Sequence, residues 1–343
     1  MTTPTTMRPM TIGDLLDSAF RLYRKHFLTF IGIVALLQIP LFIGTTLIQF
    51  VFFGGAMADI LGLASQPSPV PGGAPVTDPF ALFPVMSYIT VIGSSLVLGL
   101  IQYLVVYNLI TGALARATAR SFVGQEVSIL DSYRIGWRAF FSLVVASLLP
   151  YLATIAVTAL IVGCAVGAGF ASVGLATGGF DNTLMTVGAV VAALGVFALV
   201  AAFIVGTIVL YVRFLFATQA IVLEGQGPIS ALGRSWRLSR GNFWRTLLLI
   251  FLMGILSYLI SGLPASGVNL AVTFSMRSTE ALLLGSFVTT LVANLGLILA
   301  LPLQFCVYTL LYYDLRVRRE GYDLELRVQQ QATGGEQQAG VVG

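Results

Sequence analysis

The feature that most constrains the fold of this chain is a series of long apolar runs without a charged side chain. Each run is long enough to cross a hydrocarbon core of about 30 Å as a helix. Only 9% of the 343 residues are charged, whereas soluble domains carry about 25%. The sequence therefore excludes an ordinary soluble globule and predicts an all-α, polytopic transmembrane helical bundle. Six runs are predicted as spans: Phe27–Phe53, Val85–Ala115, Ala139–Phe170, Leu184–Val212, Thr246–Ala271 and Ala281–Tyr313.

Basic residues concentrate on one side of these spans. With six spans, the segments 1–26, 116–138, 213–245 and 314–343 share a side, and they hold every lysine and arginine except Arg277. The positive-inside rule then predicts a multi-pass protein with both termini in the cytoplasm. Prolines are predicted to kink or end the spans at four positions: Pro40, Pro150, Pro264 and Pro302.

A short motif recurs before three of the spans. An aromatic residue, an arginine and an aliphatic residue form Phe20-Arg21-Leu22, Tyr133-Arg134-Ile135 and Trp236-Arg237-Leu238, and a second aromatic residue follows each at the same offset. The motif predicts one integral membrane domain over residues 1–326, built from three pseudo-repeats at about 8–115, 116–224 and 225–326. Each repeat is expected to begin with an amphipathic helix at the cytoplasmic interface. The tail, 327–343, is expected to be disordered.

The arginines on these interfacial helices have two interpretations. They can form a collar that fixes tilt and orientation, because anionic lipid attracts basic residues beside the cytoplasmic face whether or not a pocket exists. Alternatively, the pseudo-symmetry brings Arg21, Arg134 and Arg237 together as a site for an anionic head group. The candidate head-group contacts are Arg21, Arg24, Arg134, Arg138, Arg237 and Arg240.

Polar residues inside the spans are amides and hydroxyls, and none of the six runs contains Asp, Glu, Lys, Arg or His. This absence argues against a proton-coupled carrier with a buried carboxylate. The amides are expected to bridge helices. The alternative is a polar path, favoured where a proline frees a backbone carbonyl. The residues of that candidate path are Gln38, Pro40, Gln102, Asn108, Pro302 and Gln304.

Small residues recur every four positions in the third and fourth spans. They predict close packing of these two spans, with a homodimer seam as the alternative. The residues are Ala159, Gly163, Gly167 and Ala171 in the third span, and Ala198, Ala202 and Gly206 in the fourth.

Catalytic and metal-binding patterns are missing from the sequence. The only histidine is His26, beside Lys25, and both cysteines, Cys164 and Cys306, lie within apolar runs. Neither a cluster of metal ligands nor a nucleotide-binding loop can be recognised. Basic residues near aromatic ones are explained by their juxtamembrane position rather than by nucleic acid. We therefore expect no enzymatic activity, no metal and no cofactor.

Three stretches together resemble a known family. They are Arg8-Pro9-Met10-Thr11-Ile12-Gly13-Asp14, Leu223-Glu224-Gly225 with Ser235-Trp236-Arg237-Leu238, and Leu311-Tyr312-Tyr313-Asp314-Leu315-Arg316. The chain resembles the bacterial membrane module at the N-terminus of some glycerophosphoryl diester phosphodiesterases, which also exists alone as a multi-spanning protein of unknown function. The resemblance implies a bacterial inner-membrane protein that works beside glycerophospholipid. It carries over no phosphodiesterase activity, because the paired His and Glu residues of the catalytic barrel have no counterpart here.

These observations favour a non-catalytic membrane module that binds lipid or a partner protein. The expected partners are membrane lipids, above all anionic phospholipid, together with a protein partner or further copies of the chain. The alternative is a permease or translocator for a lipid or a glycerophosphodiester.

Overall fold

A computed structural model of the protein describes residues 10–64, 85–177, 182–275 and 279–320, and the regular structure in these residues is entirely helical. The predicted all-α class is therefore confirmed. Two π-helical segments, Gln102–Tyr107 and Tyr258–Gly262, interrupt the α-helices. The α-helices are α1 Ile12–Lys25, α2 Phe27–Ala64, α3 Val85–Ile101, α4 Asn108–Phe122, α5 Ile129–Thr177, α6 Asn182–Phe214, α7 Ala217–Glu224, α8 Pro228–Ser239, α9 Phe243–Ser257, α10 Leu263–Ser275 and α11 Thr279–Glu320.

Six helical stretches in the described residues are long and apolar enough to cross a membrane, as predicted. Each overlaps one of the predicted runs, and most extend beyond it at an end that carries charge. The stretches are Phe27–Ile48, Gly93–Phe122, Gly136–Cys164, Thr186–Glu224, Phe243–Phe274 and Leu284–Glu320.

The three predicted interfacial helices join their spans in different ways. The first, α1, has a capping box between Thr11 and Asp14, and a turn at His26 separates it from α2. The second is the beginning of α5 and runs into its span without a break. The third, α8, is separated from α9 by Gly241, whose φ of 85° suits a residue without a Cβ atom. The interfacial placement and the three repeats stay predictions.

Of the four prolines predicted to kink or end a span, one lies at a helix boundary. Pro40, Pro150 and Pro302 lie inside α2, α5 and α11, because a long helix held by its surroundings can continue past a missing hydrogen bond. Pro264 is the second residue of α10, directly after a π-helical segment.

Two compact units make up the structure. One comprises the described residues within 11–140 and 251–310, and is called here the 11–140 unit. The other comprises the described residues within 1–10, 141–250 and 311–343, and is called the 141–250 unit. These boundaries differ from those of the predicted repeats. The predicted tail, 327–343, lies outside the described residues.

The expected close packing of the third and fourth spans is wrong at their glycines. A Cβ atom added at Gly163, Gly167 or Gly206 would meet no atom within 4 Å. The described small residues of this pattern are exposed, and the most apolar window of Thr186–Glu224 contains no buried residue. The pattern therefore lies on a face that these helices leave open, where lipid or another copy of the chain can cover it.

Candidate functional site

A groove in the 11–140 unit is formed where the first turns of α5 pack against α2 and α4. The hydroxyl of Tyr133 donates a hydrogen bond to the carbonyl oxygen of Ile33 on α2. Arg120 at the end of α4 forms an ion pair with Asp131. A Cβ atom at Gly136 would lie 3.5 Å from the carbonyl oxygen of Leu109, so the backbones of α4 and α5 are close together. Three contacts thus fix the position of α5.

The groove has a volume of about 470 Å³, within the range of small-molecule sites. Four of its eight lining residues are leucines, which come from three helices, and Tyr133 is held there by its bond to α2. Burial raises the pKa of Tyr133 above its ordinary value, so its hydroxyl stays protonated and remains a donor. The lining residues are Leu36 and Leu37 from α2, Leu109 from α4, and Leu130, Tyr133, Arg134, Trp137 and Arg138 from α5.

Two predicted head-group residues, Arg134 and Arg138, belong to this groove. They lie one helical turn apart on α5, and both side chains are exposed, which places their charge next to apolar walls. This combination of a cationic edge and an apolar interior suits a molecule with an anionic group and a hydrocarbon chain.

The other four predicted head-group residues do not line the groove. Arg21 and Arg24 lie on α1 in the same unit, whereas Arg237 and Arg240 belong to the 141–250 unit. All six are exposed. Ion pairs in the described part of the chain are instead formed by Arg120, Arg234, Arg245, Arg316 and Arg318. The six predicted residues therefore keep their charge available to a ligand, and their head-group role stays a prediction.

Three amides meet inside the 11–140 unit and join three elements. The buried Gln38 of α2 donates to Oδ1 of Asn294 on α11 at 2.9 Å. Gln102, in the first π-helical segment, donates to Oε1 of Gln38 at 3.3 Å. These bonds support the helix-bridging interpretation of the amides.

The remaining residues of the candidate polar path bond elsewhere. Asn108 donates to the carbonyl oxygens of Tyr103 and Leu104, at 3.2 and 3.0 Å. Both acceptors belong to the π-helical segment just before Asn108. Gln304 donates to the hydroxyl of Tyr308 at 2.7 Å. The structure thus brings Gln38 and Gln102 together, and Asn108 and Gln304 donate to groups four or five positions away in their own segments.

Three motif residues of the family resemblance, Glu224, Tyr312 and Arg316, take part in an ion-pair network in the 141–250 unit. Glu224 accepts hydrogen bonds from Nε and Nη2 of Arg234, at 3.0 and 3.1 Å, and from the hydroxyl of Tyr312. Nη2 of Arg234 also donates to Glu320 at 2.7 Å, and Arg316 lies 3.5 Å from Glu224. The positive charges of two arginines thus balance the negative charges of two carboxylates. Through these contacts, Glu224 fixes α7 to α8 and α11.

Asp314 holds the start of the described chain in the same unit. Its side chain is fully buried, and it pairs with Arg245 and Arg318, each at 2.9 Å. Asp314 also accepts from the backbone N–H of Met10 at 2.7 Å, while both arginines donate to the carbonyl oxygen of Met10. The sequence located Asp314 in a motif but did not predict this role, because its partners lie in other segments.

Histidine, cysteine and carboxylate side chains do not gather elsewhere in the described chain. No group of three or more of them there could hold a metal ion. His26 ends α1 and packs edge-on against Phe30, with ring centroids 6.4 Å apart. Burial, together with the neighbouring Lys25, lowers the pKa of His26 below its ordinary value, which favours the neutral form.

Comparison with known proteins places the chain in a family without an assigned function. Neither a curated protein nor a solved structure matches the chain. One family model matches residues 36–313, which include the whole groove and the amide network. The chain therefore belongs to the family described as a domain of unknown function, DUF7847.

Proposed function

We propose that this protein is a non-catalytic module of the bacterial inner membrane that binds anionic phospholipid in the groove between α2, α4 and α5. The observation that supports the proposal most is the placement of two exposed arginines, Arg134 and Arg138, at the edge of a groove with leucine walls. An acyl chain would lie along the leucines while the phosphate contacts the guanidinium groups. The resemblance to the membrane module of glycerophosphoryl diester phosphodiesterases favours a glycerophospholipid.

The experiment compares bound lipid between charge variants of the full chain. Each basic residue near a membrane surface contributes about 1 kcal/mol of attraction to anionic lipid. We therefore expect Arg134→Gln with Arg138→Gln to weaken binding of phosphatidylglycerol about 30-fold relative to phosphatidylcholine. Lipid retained by gently purified protein, quantified by mass spectrometry, measures the change.

The matched control is Arg21→Gln with Arg24→Gln, which removes the same charge from α1, outside the groove. An equal loss of anionic lipid in the two double variants would show that the lipid is attracted by the collar of basic residues as a whole and is not bound in the groove. A second variant, Leu36→Trp, fills the groove without changing its charge. It should lower the retained lipid as well, and unchanged retention in this variant would contradict an acyl chain between the leucines.

A permease or translocator for a lipid or glycerophosphodiester is the second candidate. It is favoured by Pro40 and Pro302, which lie inside α2 and α11, and by the amide of Gln38, which lies two residues before Pro40 and accepts a hydrogen bond from Gln102. This function requires protein-dependent movement of a labelled lipid across vesicle membranes, whereas a binding module retains lipid without moving it.

A further inference from the structure

Arg213, at the end of α6, has its guanidinium group between two aromatic rings. Its Cζ atom lies 5.0 Å from the ring centroid of Trp236 on α8 and 5.7 Å from that of Phe243 on α9. Aromatic faces attract a guanidinium group placed at such distances. The two rings therefore hold the charge of Arg213 at a defined place in the 141–250 unit.

Part of the hydrogen-bonding capacity of this guanidinium group is not used. Nε and Nη1 of Arg213 are shielded from solvent and have no acceptor in the part of the chain that the structure describes. The carboxylates described in this unit, Glu224, Asp314 and Glu320, pair with other arginines. A shielded cationic N–H group without an acceptor is unfavourable. An anionic ligand would supply acceptors for both nitrogens.

The backbone around Arg213 is held in place by Ser235, the residue before Trp236. The hydroxyl of Ser235 donates to the carbonyl oxygen of Arg213 at 2.6 Å and accepts from the backbone N–H of Phe216 at 3.1 Å. The end of α6 is thereby fixed to α8. The backbone that carries Arg213 is therefore already ordered before a ligand binds, and such preorganisation favours binding.

We propose that Arg213, between Trp236 and Phe243, binds a phosphate group, and that the phosphate belongs to the head group of an anionic lipid. Nη2, unlike Nε and Nη1, is not among the shielded nitrogens that lack a partner, so it makes the first contact. Trp236 is 41% exposed, and a small displacement of its ring opens a second nitrogen for a bidentate contact. Arg237 and Arg240, which are also exposed, add positive charge in the same segment.

This site goes beyond the proposed function, because it lies in the other unit and shares no residue with the groove. It can therefore be tested separately. The chain contains three tryptophans, one at each of the two sites and Trp244. Trp137→Phe with Trp244→Phe leaves Trp236 as the reporter for Arg213, whereas variants that retain Trp137 alone report the groove.

The experiment measures quenching of Trp236 fluorescence by brominated lipids in vesicles of phosphatidylcholine and phosphatidylglycerol. The bromine is carried by one lipid or by the other, at equal mole fractions. We expect phosphatidylglycerol to be enriched about fivefold beside Trp236, and its brominated form to quench correspondingly more than brominated phosphatidylcholine. Arg213→Gln should abolish this difference, whereas Lys25→Gln, the loss of one exposed positive charge on α1, should preserve it.

A second arm identifies the source of the phosphate. Inorganic phosphate is added to the same protein in vesicles of phosphatidylcholine alone. A change in Trp236 emission that requires Arg213 would support the phosphate site and identify a free anion as its ligand. Equal quenching by the two brominated lipids, together with no response to phosphate, would overturn the proposal. This comparison keeps Arg213 intact, so it remains decisive even if Arg213→Gln does not fold.

Discussion

Gly296 of α11 occupies a position that a larger residue cannot fill. A Cβ atom there would overlap Ser261 and would lie 2.8 Å from the carbonyl oxygen of Ile260. Both neighbours belong to the π-helical segment Tyr258–Gly262, and the Ile260 oxygen is backbone that cannot rotate away. Asn294, which bonds to Gln38, lies two residues earlier on α11. A close backbone contact and a partly buried hydrogen bond therefore lie two residues apart on α11.

We expect Gly296→Ala to destabilise the protein by roughly 1–3 kcal/mol, the usual cost of inserting a methyl group into a filled contact. Its melting temperature in detergent should fall by several degrees. Gly254→Ala in α9 is the matched control, because a Cβ atom there would meet no atom within 4 Å. Equal melting temperatures for the two variants would show that α11 and the π-helical segment are not in close contact.

At the scale of elements, the network around Glu224 connects α7, α8 and α11. The side chains of Glu224 and Arg234 are only 13% and 16% exposed. Removing one partner of a buried ion pair leaves the other charge uncompensated, which costs more than the pair itself contributes. The stability of this region therefore depends on the balance of charge within the network.

We expect Glu224→Gln to lower the free energy of unfolding by roughly 3 kcal/mol, at the low end for a buried pair because the network keeps some exposure. Arg234→Gln should have a similar effect, and the double variant should lose clearly less than the sum of the two single losses. Denaturant titration of the variants measures this coupling. Additive losses would contradict a coupling between Glu224 and Arg234. The control is Glu126→Gln, the same change at an exposed site, which should leave the free energy of unfolding unchanged.

The sequence predicts where the helices lie better than it predicts how they join. Apolar runs locate the six spans, and Thr11 with Asp14 locates the start of α1, because both signals are local. The π-helical segments were missed, since the contacts that accompany them, such as the one at Gly296, come from a distant part of the chain. Glu224 was recognised within a motif, but its bond to Tyr312 spans 88 positions and has no local signal.

At the scale of the whole molecule, the sequence predicts the arginines of the candidate site but not the other helices that form its walls. The repeated motif selects Arg134, and helical spacing adds Arg138, one turn further along α5. Three of the four lining leucines come from α2 and α4, and periodicity within one helix cannot indicate which other helices pack against it. For Arg213, the sequence predicts only a basic residue just after the fourth span, because its aromatic partners come from two later helices.

The orientation of the whole molecule is the last prediction. Six spans with basic residues on one side predict that the connection between α4 and α5 and the connection between α7 and α8 both face the cytoplasm. Single cysteines at exposed positions test this in a Cys164→Ala background. Gln125→Cys and Ile229→Cys should resist a membrane-impermeant maleimide in intact cells and react after permeabilisation, whereas Phe274→Cys, at the opposite end of the fifth span, should react in intact cells.

Cys306 provides an internal control for the same experiment. It is fully buried and lies 3.6 Å from the hydroxyl of Thr118, so it should remain unlabelled both before and after permeabilisation. Labelling of Gln125→Cys in intact cells would reverse the orientation. If Gln125→Cys and Phe274→Cys react from the same side, the number of spans between them is even instead of odd, and one of the six helical stretches does not cross the membrane.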